Sequence, residues 1–457
     1  MRRRNLALLV LLLTLSACGT LNLPGLEPNP VSLPTSSEPV AYVNPGSTYT
    51  LTLSLTETKK SVEVRVALAD PCAKGTTSCP GWDASRYPGV THPTEPVRLD
   101  GTRSQATLTF AVAPDALPQG PFKYEVVVRD EGGKEWTLPF YLKIRDTEGR
   151  SALKALNDWR TRAGLPPVQE DPEWSWRGWL HSRYMVQSYP DRRPHDEDLS
   201  QPFSTPEGKE AGKRGNEWLR FYRLNGQPVF PPEEQTVNRW IAAPFHRFNL
   251  IYPWPLTVGS GTYWDVGPLP GYGGSYGRSG STLPNLSLWT SDKPTREVLF
   301  PSPGMVVPLD RYIGSENPNP IYPCSNPSAS PERPFLTQEG LTWDDGNGVV
   351  VTPIGFPITV MTFAKMDTKV LEARLTRTSD GALNPVCAYG SRQYWENRES
   401  RREQAVNDLK AHGALVVIPH KPLTPGAEYE VYVRGQIGSA TWEKTWRFRV
   451  DTNLVPL

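Results

Sequence analysis

Imidazole and carboxylate side chains are the groups with which this chain can do chemistry near neutral pH. Of its six histidines, His181, His195 and His246 stand in the middle third. His195 lies in Arg-Pro-His-Asp-Glu-Asp, a polar stretch whose acids Asp196, Glu197 and Asp198 read as a solvated loop. His246 follows Trp240 by six residues and precedes Arg247. Histidine changes charge between pH 5 and 8, so one beside a glutamate suits proton transfer; neutral imidazole with carboxylate also suits zinc. His181 falls among tryptophans at helical spacing and reads as a packed core residue. Two motifs are set aside. Gly273-Gly-Ser275-Tyr-Gly277 has the spacing of a nucleophile elbow, but that device needs a strand-to-helix turn, and prolines and a glycine-serine run surround this one. Asp344-Asp-Gly-Asn-Gly lacks the distal glutamate of a calcium loop and reads as a turn.

The elements that must position these residues come in three blocks. From Pro39 to Asp146 the apolar period is two, as in Leu51, Leu53 and Leu55 or Ala106, Leu108, Phe110 and Val112. Each such run buries one face of a strand. Short strands at this spacing predict an immunoglobulin-like sandwich over 38–146. From Thr147 the period becomes helical. A helix carrying Leu156 and Trp159 is stopped by Gly164-Leu-Pro-Pro. A second starts at Asp171-Pro172, a capping residue followed by a proline suited to the first turn, and aligns Trp176, Leu180 and Tyr184. A third covers Glu233 to Ile241, and a strand follows from Leu256. After Pro301 strand patterns return, predicting a second sandwich over 301–457. The 48 prolines and 37 glycines favour turns and strands over long helices. With 49 basic against 48 acidic residues, nothing in the bulk charge draws the chain to nucleic acid.

The order of pieces in the middle block resembles a bacterial CAP domain, of the cysteine-rich secretory, antigen 5 and pathogenesis-related superfamily. Asn157, Arg160, Gly164-Leu-Pro-Pro, His181, His195, Trp240, His246-Arg-Phe-Asn and Gly259-Ser-Gly261 fall in the family's order. The resemblance implies a CAP α-β-α sandwich over 147–300, set between two immunoglobulin-like all-β sandwiches in a multidomain α+β protein. It also implies a cleft lined by His195, His246, Glu207 (or Glu210), Glu217 and Trp240. His195, His246 and Glu207 would hold zinc or another divalent cation there. The family's Glu-Asn is reversed here as Asn216-Glu217. The tail Pro419-His-Lys-Pro-Leu-Thr-Pro-Gly and its closing Trp446-Arg-Phe-Arg-Val are similar to bacterial immunoglobulin-like domains.

The start of the chain reads as an export signal over 1–18. Arg2 to Arg4 precede an apolar run from Leu6 to Leu15, too short to span a bilayer. It ends in Leu15-Ser-Ala-Cys18, which resembles the lipobox of bacterial lipoproteins and implies a lipid on Cys18, with residues 19–37 as a tether. Four cysteines remain, Cys72, Cys79, Cys324 and Cys387. Of three possible connectivities, 72–79 with 324–387 keeps each bridge inside one block, and an exported protein permits both. The functional expectation is a lipid-anchored envelope protein whose cleft binds a lipid, glycan or peptide. A metal- or histidine-dependent hydrolase of envelope peptide or glycan, and a structural lipoprotein with a degenerate cleft, are the alternatives. The reversed motif and the absence of an evident nucleophile favour binding.

Overall fold

The computed structural model describes residues 29–33, 39–56, 60–71, 89–147, 149–286, 296–314, 316–343 and 353–457. Cys18, the expected Cys72–Cys79 bridge and the Asp344–Gly348 turn lie outside them.

Alternation builds the first block as expected. In strand Gln105–Val112 every second side chain is buried, because successive strand residues point to opposite faces. One sheet orders strands 31–32, 48–55, 105–112 and 90–91; the other orders 41–43, 135–144, 122–130, 62–68 and 97–99. Their inner faces share a core of Leu53, Leu108 and Phe110 with Val64, Val126 and Phe140. Part of the expected tether is strand instead. Val31–Ser32 pairs with Leu55 and Ser54, and Val31 is buried in this core. Two residues are too few to show a period, so the sequence pattern is silent there.

The helices of the middle block start and stop where the caps place them. α1 (Ala152–Arg162) is capped by the Ser151 hydroxyl and ends at Gly164, whose φ is +68°. α2 (Pro172–Gln187) is capped by the Asp171 carboxylate, with Pro172 in the first turn. α3 (Pro206–Gly212) is capped by Thr205. α4 (Glu233–Ala242) and α5 (Pro244–Phe248) follow. A four-stranded antiparallel sheet orders 227–228, 215–224, 272–284 and 261–269. The Gly273–Gly277 motif lies within strand Tyr272–Pro284, not at a strand-to-helix turn. α2 crosses this sheet at backbone distance, since a Cβ on Gly261 would stand 1.9 Å from the Trp179 nitrogen.

The last block is again two sheets. Strands 298–300, 358–361, 414–419, 386–389 and 335–336 form one; 306–307, 440–450, 428–437 and 368–377 form the other. α6 (Tyr322–Ser325) carries Cys324, bridged to Cys387 on strand Val386–Tyr389. α7 (Glu399–His412) ends at Gly413 in the left-handed conformation.

The central α-β-α sandwich expected from the family resemblance is not what the chain builds. Strand outweighs helix, 39% against 17%, and the middle block closes no core of its own. α1, α4 and α5 merge into the core of the last block: Trp159 stacks on Phe356, and the Arg247 guanidinium lies over Phe300 and Phe356. α2 gives Trp176, Trp179 and Leu180 to the first sandwich, where Trp179 meets Phe122 edge-on. The block boundary also moves, because strand Val298–Phe300 pairs with Ile358–Met361 in the last block. Helical periodicity identifies an apolar face but not the partner that covers it, so the middle block read as a self-contained unit.

Candidate functional site

The middle histidines occupy two adjoining places. The first is buried. α2 carries His181 to the end of strand Gly215–Leu224, with its side chain fully enclosed. Its Nδ1 lies 2.8 Å from Glu197 Oε1 and its Nε2 lies 2.7 Å from Glu217 Oε1, the second contact being an ion pair off the in-line hydrogen-bond direction. Glu197 Oε2 accepts the Thr205 backbone N–H at 2.7 Å, at the cap of α3. Burial opposes charge on His181, but Glu217 and Glu197 outweigh it and hold its pKa at about 10. Burial likewise opposes charge on Glu217, yet His181 and His195 bring its pKa down to about 2. Glu197 moves the other way, raised chiefly by burial. The three groups form a carboxylate–imidazolium–carboxylate sandwich shut off from water. Gly212 is required beside it, since a Cβ there would stand 2.5 Å from His181 Cε1.

His195 tops this cluster. Its backbone, at φ +61°, turns its N–H onto both Glu217 oxygens at 3.0 and 3.2 Å. Its half-exposed ring places Nδ1 3.0 Å from the Gly212 carbonyl and 3.1 Å from Glu217 Oε1. Burial lowers its pKa and the Glu217 charge raises it, with a net rise. Glu207 stands on the first turn of α3 and is no partner of either histidine; Glu210 pairs instead with Lys213 and Arg214. Glu197 takes the place expected for them. Its neighbours Asp196 and Asp198 are engaged at the surface, with Lys209 and Ser200.

The second place is a small open cleft with about 50 Å³ of enclosed space. Glu217 and Trp218 from strand Gly215–Leu224, Arg239 and Trp240 from α4, His246 from α5, and Tyr312 with Glu316 from the last block face it. It thus unites three of the expected residues: Glu217, Trp240 and His246. Trp240 Nε1 donates to the Glu217 carbonyl at 3.3 Å, and the Asn216 amide donates to the His246 carbonyl at 2.9 Å, tying the walls together. Glu316 is the residue that sequence reasoning missed. Its Oε1 accepts the backbone N–H of His246 at 2.6 Å and lies 2.8 Å from the ring Nδ1. A carboxylate facing Nδ1 orients the ring on the wall of the cleft. Glu316 stands 70 residues from His246 in a proline-rich segment, and no local spacing connects them. His195 does not line this cleft. Among the described residues no group of three or more His, Cys, Asp or Glu is placed to hold a metal ion. The expected set of His195, His246 and Glu207 is therefore not assembled.

No protein-family model and no curated protein sequence matches the chain. Solved structures align weakly. A PapD-like domain of human CEP192 is 16% identical, with a TM-score of 0.20, and covers 29% of this chain and 96% of that one. The YadV chaperone is 8% identical, with a TM-score of 0.19, over 92% of this chain and 100% of its own. A four-domain fragment of ICAM-5 is 10% identical, with a TM-score of 0.16, over 93% and 77%. Scores this low carry no functional argument. The CAP expectation is overturned by the fold itself, in which strand outweighs helix, 39% against 17%, and the middle helices pack into the cores of the flanking blocks.

Proposed function

We propose that this is an exported, lipid-anchored envelope protein that binds a polar ligand in the cleft between the central strand Gly215–Leu224, α4–α5 and the Tyr312–Glu316 segment. The observation that carries the reading is the convergence of Glu217, Trp240 and His246 with Trp218, Arg239 and Glu316 on one concavity. Its enclosed space, about 50 Å³, is below the range of about 300–1,000 Å³ for small-ligand sites, so it admits a small polar group or one end of a larger ligand. Aromatic rings beside a few charged groups are the usual composition of such a site. The anchor rests on the Leu-Ser-Ala-Cys18 motif. Cys18→Ser is expected to move the protein from the membrane fraction to the soluble one, and unchanged fractionation would remove the anchor from the reading.

Titration of soluble envelope peptides and oligosaccharides, followed by tryptophan fluorescence, tests the cleft. Binding should weaken at least tenfold in Trp218→Ala. Ligands that bind wild type and Trp218→Ala alike lie elsewhere, and the cleft reading then fails. A second reading is favoured by the His246 ring, which lines the cleft and whose Nδ1 is held by a buried carboxylate. That arrangement suits a general base. Cleavage products found by mass spectrometry with wild type, and lost in His246→Ala, would make the protein a hydrolase.

A further inference from the structure

Both hairpin turns of the central sheet leave it at the same end. Strand Gly215–Leu224 turns through Asn225 and Gly226, at φ +50° and +82°, into 227–228. Strand Gly261–Leu269 turns through Pro270 and Gly271, the latter at φ +82°, into Tyr272–Pro284. Register sets them side by side, because Tyr222 and Val266 both lie opposite Gly277. Arg223 ties the two turns together, its Nη1 donating to the Gly273 carbonyl at 2.7 Å. α2 stops short of this end. Its last residue, Gln187, donates to the Tyr263 hydroxyl at 2.7 Å, and in the next row Asp265 is neutralised by Arg278 at 2.6 Å.

What lies past α2 is apolar and cationic. Eight large apolar side chains are exposed among the described residues, and four of them, Leu224, Val229, Val266 and Tyr272, fall on this tip. Leu224 and Tyr272 are the most open of the four, at 63% and 64%. Surface apolar residues normally stand singly, and a cluster marks a contact. The tip also carries no acid. Between Trp218 and Pro232, and again from Val266 to Leu286, the sequence holds Arg220, Arg223 and Arg278 and neither Asp nor Glu. In a chain of 49 basic and 48 acidic residues, that is a local excess of positive charge. Leucine and valine enter hydrocarbon, tyrosine sits at headgroup level and arginine meets lipid phosphate, so this composition is complementary to an anionic membrane surface. A stable protein interface buries roughly 800 Å² per partner, a broad face that a pair of two-residue turns does not offer.

We propose that this tip is a membrane-docking hairpin pair, which dips Leu224 and Tyr272 into the interface of an anionic bilayer and sets Arg223 against lipid phosphate. The contact is separate from the cleft and does not need a lipid on Cys18. Beside such an anchor it is a second attachment, and it fixes which side of the molecule faces the membrane.

The test uses the full chain carrying Cys18→Ser, sedimented with phosphatidylcholine vesicles that contain either no anionic lipid or about one-third phosphatidylglycerol. Binding should be about tenfold stronger to the anionic vesicles and should fall with added salt. On those vesicles Leu224→Ser/Tyr272→Ser is expected to weaken binding about tenfold, and Arg223→Gln about fivefold, the worth of one arginine near such a surface. Leu383→Ser removes an apolar side chain that is 65% exposed in the last block and should leave binding unchanged. Every altered side chain is exposed, so melting temperatures should match the parent's. If the double variant melts early, Tyr272→Ser alone carries the test. Absence of binding to either vesicle overturns the proposal, as does binding indifferent to the tip changes or lowered equally by Leu383→Ser. A tip variant that keeps vesicle binding but dissociates a dimer in analytical centrifugation makes the tip a protein contact, and overturns it too.

Discussion

His181 keeps its proton at neutral pH because two carboxylates flank a ring that water does not reach. With a folded pKa of about 10 against 6.5 for a free histidine, its contribution to stability is complete below pH 6.5 and is lost as pH rises through 10. Glu217, held at about 2 against 4.5, contributes fully above pH 4.5 and loses that contribution as pH falls towards 2. His181→Gln should therefore cost about 3–5 kcal/mol by urea unfolding at pH 6, since it leaves the buried Glu197 without a cation and Glu217 with His195 alone. The gap between wild type and variant should narrow as pH approaches 10; a gap constant from pH 6 to 10 would refute the imidazolium assignment. The burial of His181 was legible from the tryptophans around it, but its charge was not. Glu217 and Glu197 hold that charge, and Glu197, between Asp196 and Asp198, looked like one more solvated acid. Glu316 was equally hidden, because only the fold brings it to His246.

Among elements, α2 and the central sheet show how small residues set a distance. Gly178 on the helix and Gly261 and Gly280 on the strands let backbone meet backbone, and Ser182 then reaches the Gly261 carbonyl at 3.1 Å. That contact holds His181 above Glu217. Gly261→Ala should lower stability by roughly 1–3 kcal/mol, because the intruding Cβ meets backbone that cannot rotate away. Gly273→Ala, with open space around its Cα, should stay within about 0.5 kcal/mol. Paired thermal melts check both, and equal losses would mean that the close approach is not limiting. The helices themselves were readable from Asp171-Pro172 and Gly164, since caps and stops act within a few residues. Which sheet each helix would cover was not, because Trp159 and Trp179 look alike in sequence and end in different cores.

For the whole molecule, the two sandwiches are joined through the middle block by polar as well as apolar contacts. Lys143, on strand Glu135–Ile144 of the first sandwich, pairs with Glu233 at the start of α4 at 2.7 Å, both side chains almost wholly buried. Glu233 also accepts the Ala152 N–H at the start of α1. Lys143→Met should cost about 3–5 kcal/mol by leaving an unpaired buried carboxylate, and adding Glu233→Gln should recover part of it. Additive losses in that cycle would show that the pair does not couple the two blocks. This sharing of cores is also why a family resemblance confined to the middle of the chain misjudged the architecture: the motif order was real in sequence, but its helices spend their apolar faces on neighbours.

The cleft inherits this arrangement. Its walls come from the central strand, from α4–α5, and from the segment that leads into the last sandwich. Anything lodged there becomes a removable rivet between blocks that otherwise meet through the core. Occupancy at a hundred times Kd would add about 2.7 kcal/mol to the cohesion of the assembly, so a mechanical load passed from the first sandwich to the last would be borne differently by the filled and the empty protein.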